Sequence, residues 1–264
     1  MSVVLTHNAG FFSCCSIKLD RIVNYINSNL KIPENVDSSK QFEWYKKQKN
    51  DDITYDYFEH YDNIKNIITD YSIDYNEDNQ FIDYSKINYN TIIPIVKKYF
   101  SPSNSILNII KIIEKKYNLL YDNICVLFYR GNDKCVETKL CNYDEYLYYA
   151  NLILEQNPNI NFLIQSDETE FIEYMIEKFP NNSFYFKDEI RHMKKCKNTV
   201  DVIMKDKNYE YSRYYLAITI IMSKCKYIIC GSGNCSIWIM FYRENNINVY
   251  QNLNGKWYYN IGRL

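Results

Sequence analysis

The 264-residue sequence contains no run of twenty apolar residues, and without one no helical membrane span is predicted. The longest candidate, Tyr214 to Cys230, is broken by Ser223, Lys224 and Lys226. The start, Met1 to His7, lacks both a basic region and an apolar stretch of leader length, so a cytoplasmic protein is expected. There is little net charge: −1 overall with a pI near 6.3. Such a balance gives no global attraction to nucleic acid or to an anionic membrane, and any phosphate must be bound by a local site. No Cys-x2-Cys pair exists among the nine cysteines, which argues against a zinc site, and their odd number argues for reduced thiols over a disulfide framework. Also missing are a Ser-His-Asp order, HExxH, a GxxxxGK[ST] loop and an Asp-x-Asp metal clamp.

What is present is a chain 47% hydrophobic, enough for a sizeable core in one large domain or two. Its abundance of Tyr, Asn, Ile and Lys fits codon drift in an A/T-rich genome, such as that of a giant virus or a parasite, and carries no mechanism.

The central stretch, Asn123 to Lys134, has a first half of strand length that is continuously apolar and aromatic, the pattern of a strand buried on both faces. It then breaks into charge at Arg130, Asp133 and Lys134. From here the chain alternates regularly. Strands are predicted at 124–129, 160–165, 183–186, 227–230 and, closing the series, 248–251. Helices are predicted at 144–155, 170–179, 211–223 and 237–243. The order implies an α/β fold with a Rossmann-like, doubly wound parallel sheet in the second half, 119–264. The first half, 1–118, is predicted as a separate lobe. It opens with a strand at 2–6, a glycine-bearing loop and a helix at 16–30, and it ends with a helix starting at Ser101-Pro102-Ser103 and running to Asn118. The stretch 51–90 has no clean period and suits short helices and loops over an acceptor-side cleft.

Parallel strands place their carboxyl ends on one edge, so three polar turns should converge there: Arg130 to Lys134, Ser166-Asp167-Glu168, and Gly231 to Ser236. In the last, Gly231 and Gly233 let backbone amides approach an anion, Ser232, Asn234 and Ser236 supply donors, and the following helix adds its positive end. The same residues suit a plain glycine turn with Asn234 or Ser236 as helix cap. Arg130 offers a planar fork of donors matched to a diphosphate. Asp133 either orients Arg130, binds a ligand hydroxyl or pairs locally with Lys134 or Arg130. Asp167 and Glu168 can accept hydrogen bonds from a nucleoside, or Asp167 caps the next helix. His7, Asn8 and Gly10 stand on the N-terminal turn and face the same cleft if the lobes oppose each other.

Phe128 to Lys134 resembles the His-x-Arg-Arg-x-Asp-Lys motif of the fucosyltransferase superfamily, which includes α-1,2, α-1,6 and protein O-fucosyltransferases. Asn161 to Glu168 is similar to the family's second motif, a strand ending in an acidic pair, and Met222 to Ser232 to its third. Over the first half the resemblance is one short loop, His7 to Phe12, similar to the family's N-terminal glycine turn. The resemblance implies a two-lobed GT-B glycosyltransferase with an inverting, metal-independent mechanism. It also implies no cofactor, GDP-fucose as donor, and a glycan or protein hydroxyl as acceptor. Arg130 would take the role of the family's arginine on the β-phosphate, with Asp167, Ser232 and their neighbours holding the nucleotide. Two positions depart: the motif's histidine is Phe128 here, and its second arginine is Gly131. Those losses suit a rival reading, a non-catalytic nucleotide- or glycan-binding protein on a degenerate transferase fold. A nicotinamide-dependent enzyme rests only on a glycine fingerprint lacking its third glycine.

Overall fold

The computed structural model describes residues 2–48, 51–63 and 72–260. The expectation for 51–90 therefore falls partly outside the described residues. The chain runs β1 (Ser2–Val4), α1 (Phe11–Asn29), β2 (Asn35–Asp37), α2 (Thr54–Tyr57), α3 (Tyr89–Phe100) and α4 (Asn104–Tyr117). It continues β3 (Ile124–Tyr129), α5 (Tyr143–Gln156), β4 (Asn161–Ser166), α6 (Thr169–Lys178) and β5 (Ser183–Phe184). Last come α7 (Val200–Ile203), α8 (Asn208–Lys224), β6 (Tyr227–Gly231), α9 (Asn234–Arg243), β7 (Val249–Leu253) and β8 (Lys256–Asn260).

In the second half the strands form one sheet in the order β5-β4-β3-β6-β7-β8, parallel except for β8. All six residues of β3 are buried, which is why its sequence reads as an unbroken apolar run. Right-handed crossovers place α5 and α6 on one face, since the chain there moves from β3 out to β5, and α8 and α9 on the other, since it then returns past β3 to β7. The strand order thus reverses between β3 and β6. At that reversal the helices diverge to opposite faces and leave a crevice at the strands' carboxyl ends, where an open α/β sheet binds its ligand.

The first half contributes a two-stranded parallel sheet, β1 with β2. α1 packs on α9 and ties to it through the Trp238 indole, which donates to Ser16 Oγ at 3.0 Å. The segment before α3 docks on β7, where Gln251 accepts from the Tyr84 amide at 2.9 Å and donates to the Ile82 carbonyl at 2.7 Å. A continuous set of buried side chains runs through both halves.

Four elements differ from the sequence expectation. α1 begins at Phe11, five residues early, because Phe11 and Phe12 bury against Phe42, Tyr57, Tyr215 and Trp238. α4 is capped by Ser103, whose Oγ accepts from the Ile106 amide, and Pro102 lies before the cap and outside the first turn. α3 contains Pro94, a residue that argues against a helix interior. β7 does not close the sheet; Asn254-Gly255 turns the chain back into β8, whose Trp257 packs on Tyr149 with ring centroids 4.4 Å apart. The nine cysteines are unpaired, and among the described residues no helix is long and apolar enough to cross a membrane.

Candidate active site

The register of the sheet builds the centre of the crevice. β3 and β4 pair as far as Tyr129 with Ser166, so Arg130 and Asp167 are the first residues beyond the ladder and meet side by side. Arg130 Nε donates to Asp167 Oδ2 at 2.8 Å, Nη1 to the Tyr215 hydroxyl at 3.1 Å, and Nη2 to Asp133 Oδ1 at 3.1 Å. A guanidinium has five N–H donors, so these bonds leave one on each terminal nitrogen for a ligand. Burial opposes the charge of Arg130, but Asp167, Tyr215 and Asp133 outweigh it and hold the group fully cationic. Asp167 in turn accepts the Gly131 amide at 3.1 Å, and its carbonyl accepts Asn132 Nδ2 at 2.7 Å. The first turn is therefore locked to the second.

Asp167 does not cap α6. The residue at that cap is Glu168, whose amide donates to Ser166 Oγ at 3.0 Å. The Glu168 side chain is fully buried, reaches neither cavity described below, and has no hydrogen-bond partner on either oxygen. Burial raises its pKa, and Lys195 stands 3.7 Å away. A β-carbon added at Gly131 would lie 2.0 Å from Glu168 Oε2, so Glu168 occupies the space that a side chain at 131 would need.

The third turn enters α9 through Gly233, at φ 155° and ψ 175°, a backbone state open to glycine alone. Neither Asn234 nor Ser236 caps the helix. Ser236 Oγ donates to the Gly231 carbonyl at 2.5 Å, Ser232 Oγ donates to the Asn252 carbonyl at 2.9 Å, and Asn234 Oδ1 has no partner. Tyr84, from the first half, buttresses the turn through the Gly233 amide and carbonyl at 3.3 and 3.4 Å. α1 likewise has a glycine, Gly10, before its first residue and no side-chain cap. The uncapped N-termini of α1 and α9 both line one cavity of about 320 Å³, together with Arg130, Asp133 and Lys134. Two helix ends without side-chain caps, next to an arginine, present backbone donors and positive potential that suit an anion. Lys134 pairs with Glu137 on its rim. Cys235 lies at the same helix end, its thiol pushed up to about 11 by burial, which makes it inert as a nucleophile.

Behind Arg130 a smaller chamber of about 70 Å³ is lined by Gln165, Ser166, Asp167, Arg191, Asp201 and Tyr215, among others. Gln165 is buried there with Oε1 unpartnered.

On the N-terminal turn only Gly10 of the three candidates lines the cavity. His7 bonds to Ser13, which does line it, at 3.0 Å. Asn8 is a loop clamp: it donates to the Thr6 and Lys40 carbonyls and accepts the Glu43 amide. Gly231 faces a separate small pocket. Sequence reasoning missed Tyr84, Trp44, Arg191, Asp201 and Tyr215, which sit in helix interiors or unpatterned loops with no local signal. Among the described residues no group of three or more His, Cys, Asp or Glu is placed to hold a metal ion.

No family model and no curated protein matches the sequence. Solved structures match its fold. NodZ α-1,6-fucosyltransferase soaked with GDP-fucose superposes with a TM-score of 0.55 at 8% identity, covering 98% of this chain and 99% of that one. Fucosyltransferase NodZ from Bradyrhizobium gives 0.53 at 9% identity over 97% of both chains, and NodZ co-crystallized with GDP gives 0.52 at 9% identity, also over 97% of both. At this identity the likeness is one of architecture, and it agrees with the resemblance drawn from the three motifs: the chain has the two-lobed, GT-B-like α/β fold of the fucosyltransferase structures.

Proposed function

We propose that the protein is an inverting, metal-independent glycosyltransferase that moves fucose from GDP-fucose to a glycan or protein hydroxyl. In this reading residues 119–264 hold the donor and residues 1–118 face the acceptor. The observation that carries it is the meeting of Arg130 with the uncapped N-termini of α1 and α9 in one cavity. Such a site is built for a diphosphate, and the fold is shared with a fucosyltransferase soaked with GDP-fucose. Arg130 neutralises the charge that grows on the departing diphosphate as the anomeric C–O bond breaks. It costs no reorganisation to do so, because Asp167, Tyr215 and Asp133 already fix it. Ser166, Asp167 and Gln165 border the chamber that would take the nucleoside.

The test is a thermal-shift screen of nucleoside diphosphates followed by GDP release from GDP-fucose. A ligand that binds only the folded state raises Tm. GDP standing out, with turnover of GDP-fucose, supports the proposal; no shift with GDP sinks it. A second reading, a binding protein that has lost turnover, is favoured by Phe128 and by Gly131, where Glu168 leaves no room for a second arginine. GDP binding with no release of GDP from any donor would establish that one instead.

A further inference from the structure

We propose that Asp201 is the general base of the transfer, taking the proton from an acceptor hydroxyl that arrives along the open groove between the 43–47 segment and α7–α8. This rests on the transferase reading.

The groove, about 840 Å³, shares two residues with the diphosphate cavity: Trp44 and Asp201. They mark the passage from one to the other. Three carboxylates line the diphosphate cavity: Asp133, Glu137 and Asp201. Asp133 is held by Arg130 and Glu137 by Lys134, on the same turn as the cations that would bind the leaving group. An inverting displacement needs its base on the side of the sugar that the acceptor reaches, and of the three only Asp201 also lines the groove, at the point where groove, diphosphate cavity and the chamber behind Arg130 meet.

Its side chain is held ready. Arg191 Nη2 donates to Oδ1 at 2.5 Å and the Tyr45 hydroxyl donates to Oδ2 at 2.9 Å. Arg191 is itself fixed by the Met204 carbonyl and Asn208 Oδ1, both at 2.8 Å. Each carboxylate oxygen has a second lone pair to accept a proton. A weak base suffices, because the acceptor O–H becomes acidic as its oxygen bonds to the anomeric carbon. In the step, that O–C bond forms, the proton passes to Asp201, and the bond to the diphosphate breaks with its electron pair going to the β-phosphate oxygen beside Arg130. The proton then leaves to solvent.

The groove also names the acceptor class. Trp44 is 39% exposed at the junction, and Tyr209 lies farther along the wall. The groove's charged side chains are Glu43, Asp201, Asp206 and Glu210 against Lys46, Lys47 and Lys205, close to balance. An exposed indole among polar groups of near-zero net charge suits a neutral saccharide, whose apolar ring face stacks and whose hydroxyls hydrogen-bond.

The experiment compares wild type, Asp201→Asn and Asp201→Ala in GDP release from GDP-fucose, with water and with a panel of neutral oligosaccharides, across pH. The thermal shift by GDP is measured on each. Expected in Asp201→Asn is a rate loss of about 100-fold or more with the GDP shift retained. Added formate should restore part of the rate in Asp201→Ala. A wild-type rate in Asp201→Asn overturns the proposal. So does a GDP shift lost with the rate, which would make Asp201 a nucleotide ligand, and so does a wild type that binds GDP but never releases it from the donor. A wild type with no GDP shift fails earlier, at the donor reading itself.

Discussion

The cavity has two walls, one from each half of the chain, and both are helix N-termini entered through a glycine. They are held differently. On the α9 side Gly233 has a positive φ of 155°, a β-carbon there would lie 3.4 Å from Lys134 Cε, and Tyr84 binds both its amide and its carbonyl. On the α1 side Gly10 has φ −54° and nothing within 4 Å of where a β-carbon would stand. The second-half wall is over-determined, with each group fixed by several others. The first-half wall is open, and its glycine serves access to the cavity, with no demand on the backbone. Donor chemistry should therefore fail sharply with changes on the α9 side and shift gently with changes on the α1 side.

The largest effect is expected at the centre of the braced wall. Arg130→Ala should lower GDP release from GDP-fucose about 10³-fold, the scale of a lost transition-state cation. Because it also strands the buried Asp167 carboxylate, Arg130→Lys is the companion. It keeps the charge, loses the fork, and should still lose most of the rate while its Tm stays nearer wild type. A wild-type rate in either variant would remove Arg130 from the mechanism.

Next comes Gly233→Ala, predicted to cost about 1–3 kcal/mol of stability, from the backbone state it forces on an L-residue, and to weaken GDP binding in the same step. Chemical denaturation together with the GDP thermal shift measures both. An alanine variant as stable as wild type would contradict the over-determined view of this wall.

How much of this was legible follows the same division. In the second half, strands buried on both faces announce themselves as apolar runs, and a parallel sheet then dictates that their polar ends converge; Arg130 meeting Asp167 is a consequence of register. In the first half the helix α3 carries Pro94, and the aromatic residues that pin α1 come from loops, so no period marks them. β8 was missed because its alternation is short and its edge position exposes much of it. Within the site, Tyr215 and Asp201 reach the cavity from a long helix and a four-residue helix, and only tertiary packing could have placed them.

Buried charges behind the two walls, lining neither, give a finer contrast, with opposite pH signs. Glu168, behind the first turn, has its pKa raised by burial. The folded state thus binds the proton more tightly than the unfolded one, and stability falls as pH rises through the carboxylate range. Glu168→Gln should raise Tm near neutrality by a few degrees, about 1 kcal/mol, with the gain vanishing in acid. Lys18, in α1, is lowered to about 8 by burial, so the folded state loses its proton first and stability rises between pH 8 and the ordinary lysine range. Lys18→Met should stabilise below pH 8 by about 1–3 kcal/mol, and the gain should shrink toward pH 10. Melting curves of each variant against wild type at three pH values decide both signs.

The smallest effect belongs to Gly10→Ala, and it tests the open wall most directly. The backbone already suits alanine and the added methyl meets no neighbour, so the variant should lose less conformational entropy on folding than glycine does. Stability is expected to rise by about 0.5 kcal/mol, a change of one or two degrees in Tm. The same methyl projects from the α1 N-terminus, where a diphosphate would need close approach to backbone amides. GDP affinity should therefore fall a few-fold while the fold is strengthened, a separation that loss of structure cannot produce. Titration of GDP against both proteins reads it out, and an unchanged affinity would leave α9 as the sole helix end in contact with the diphosphate.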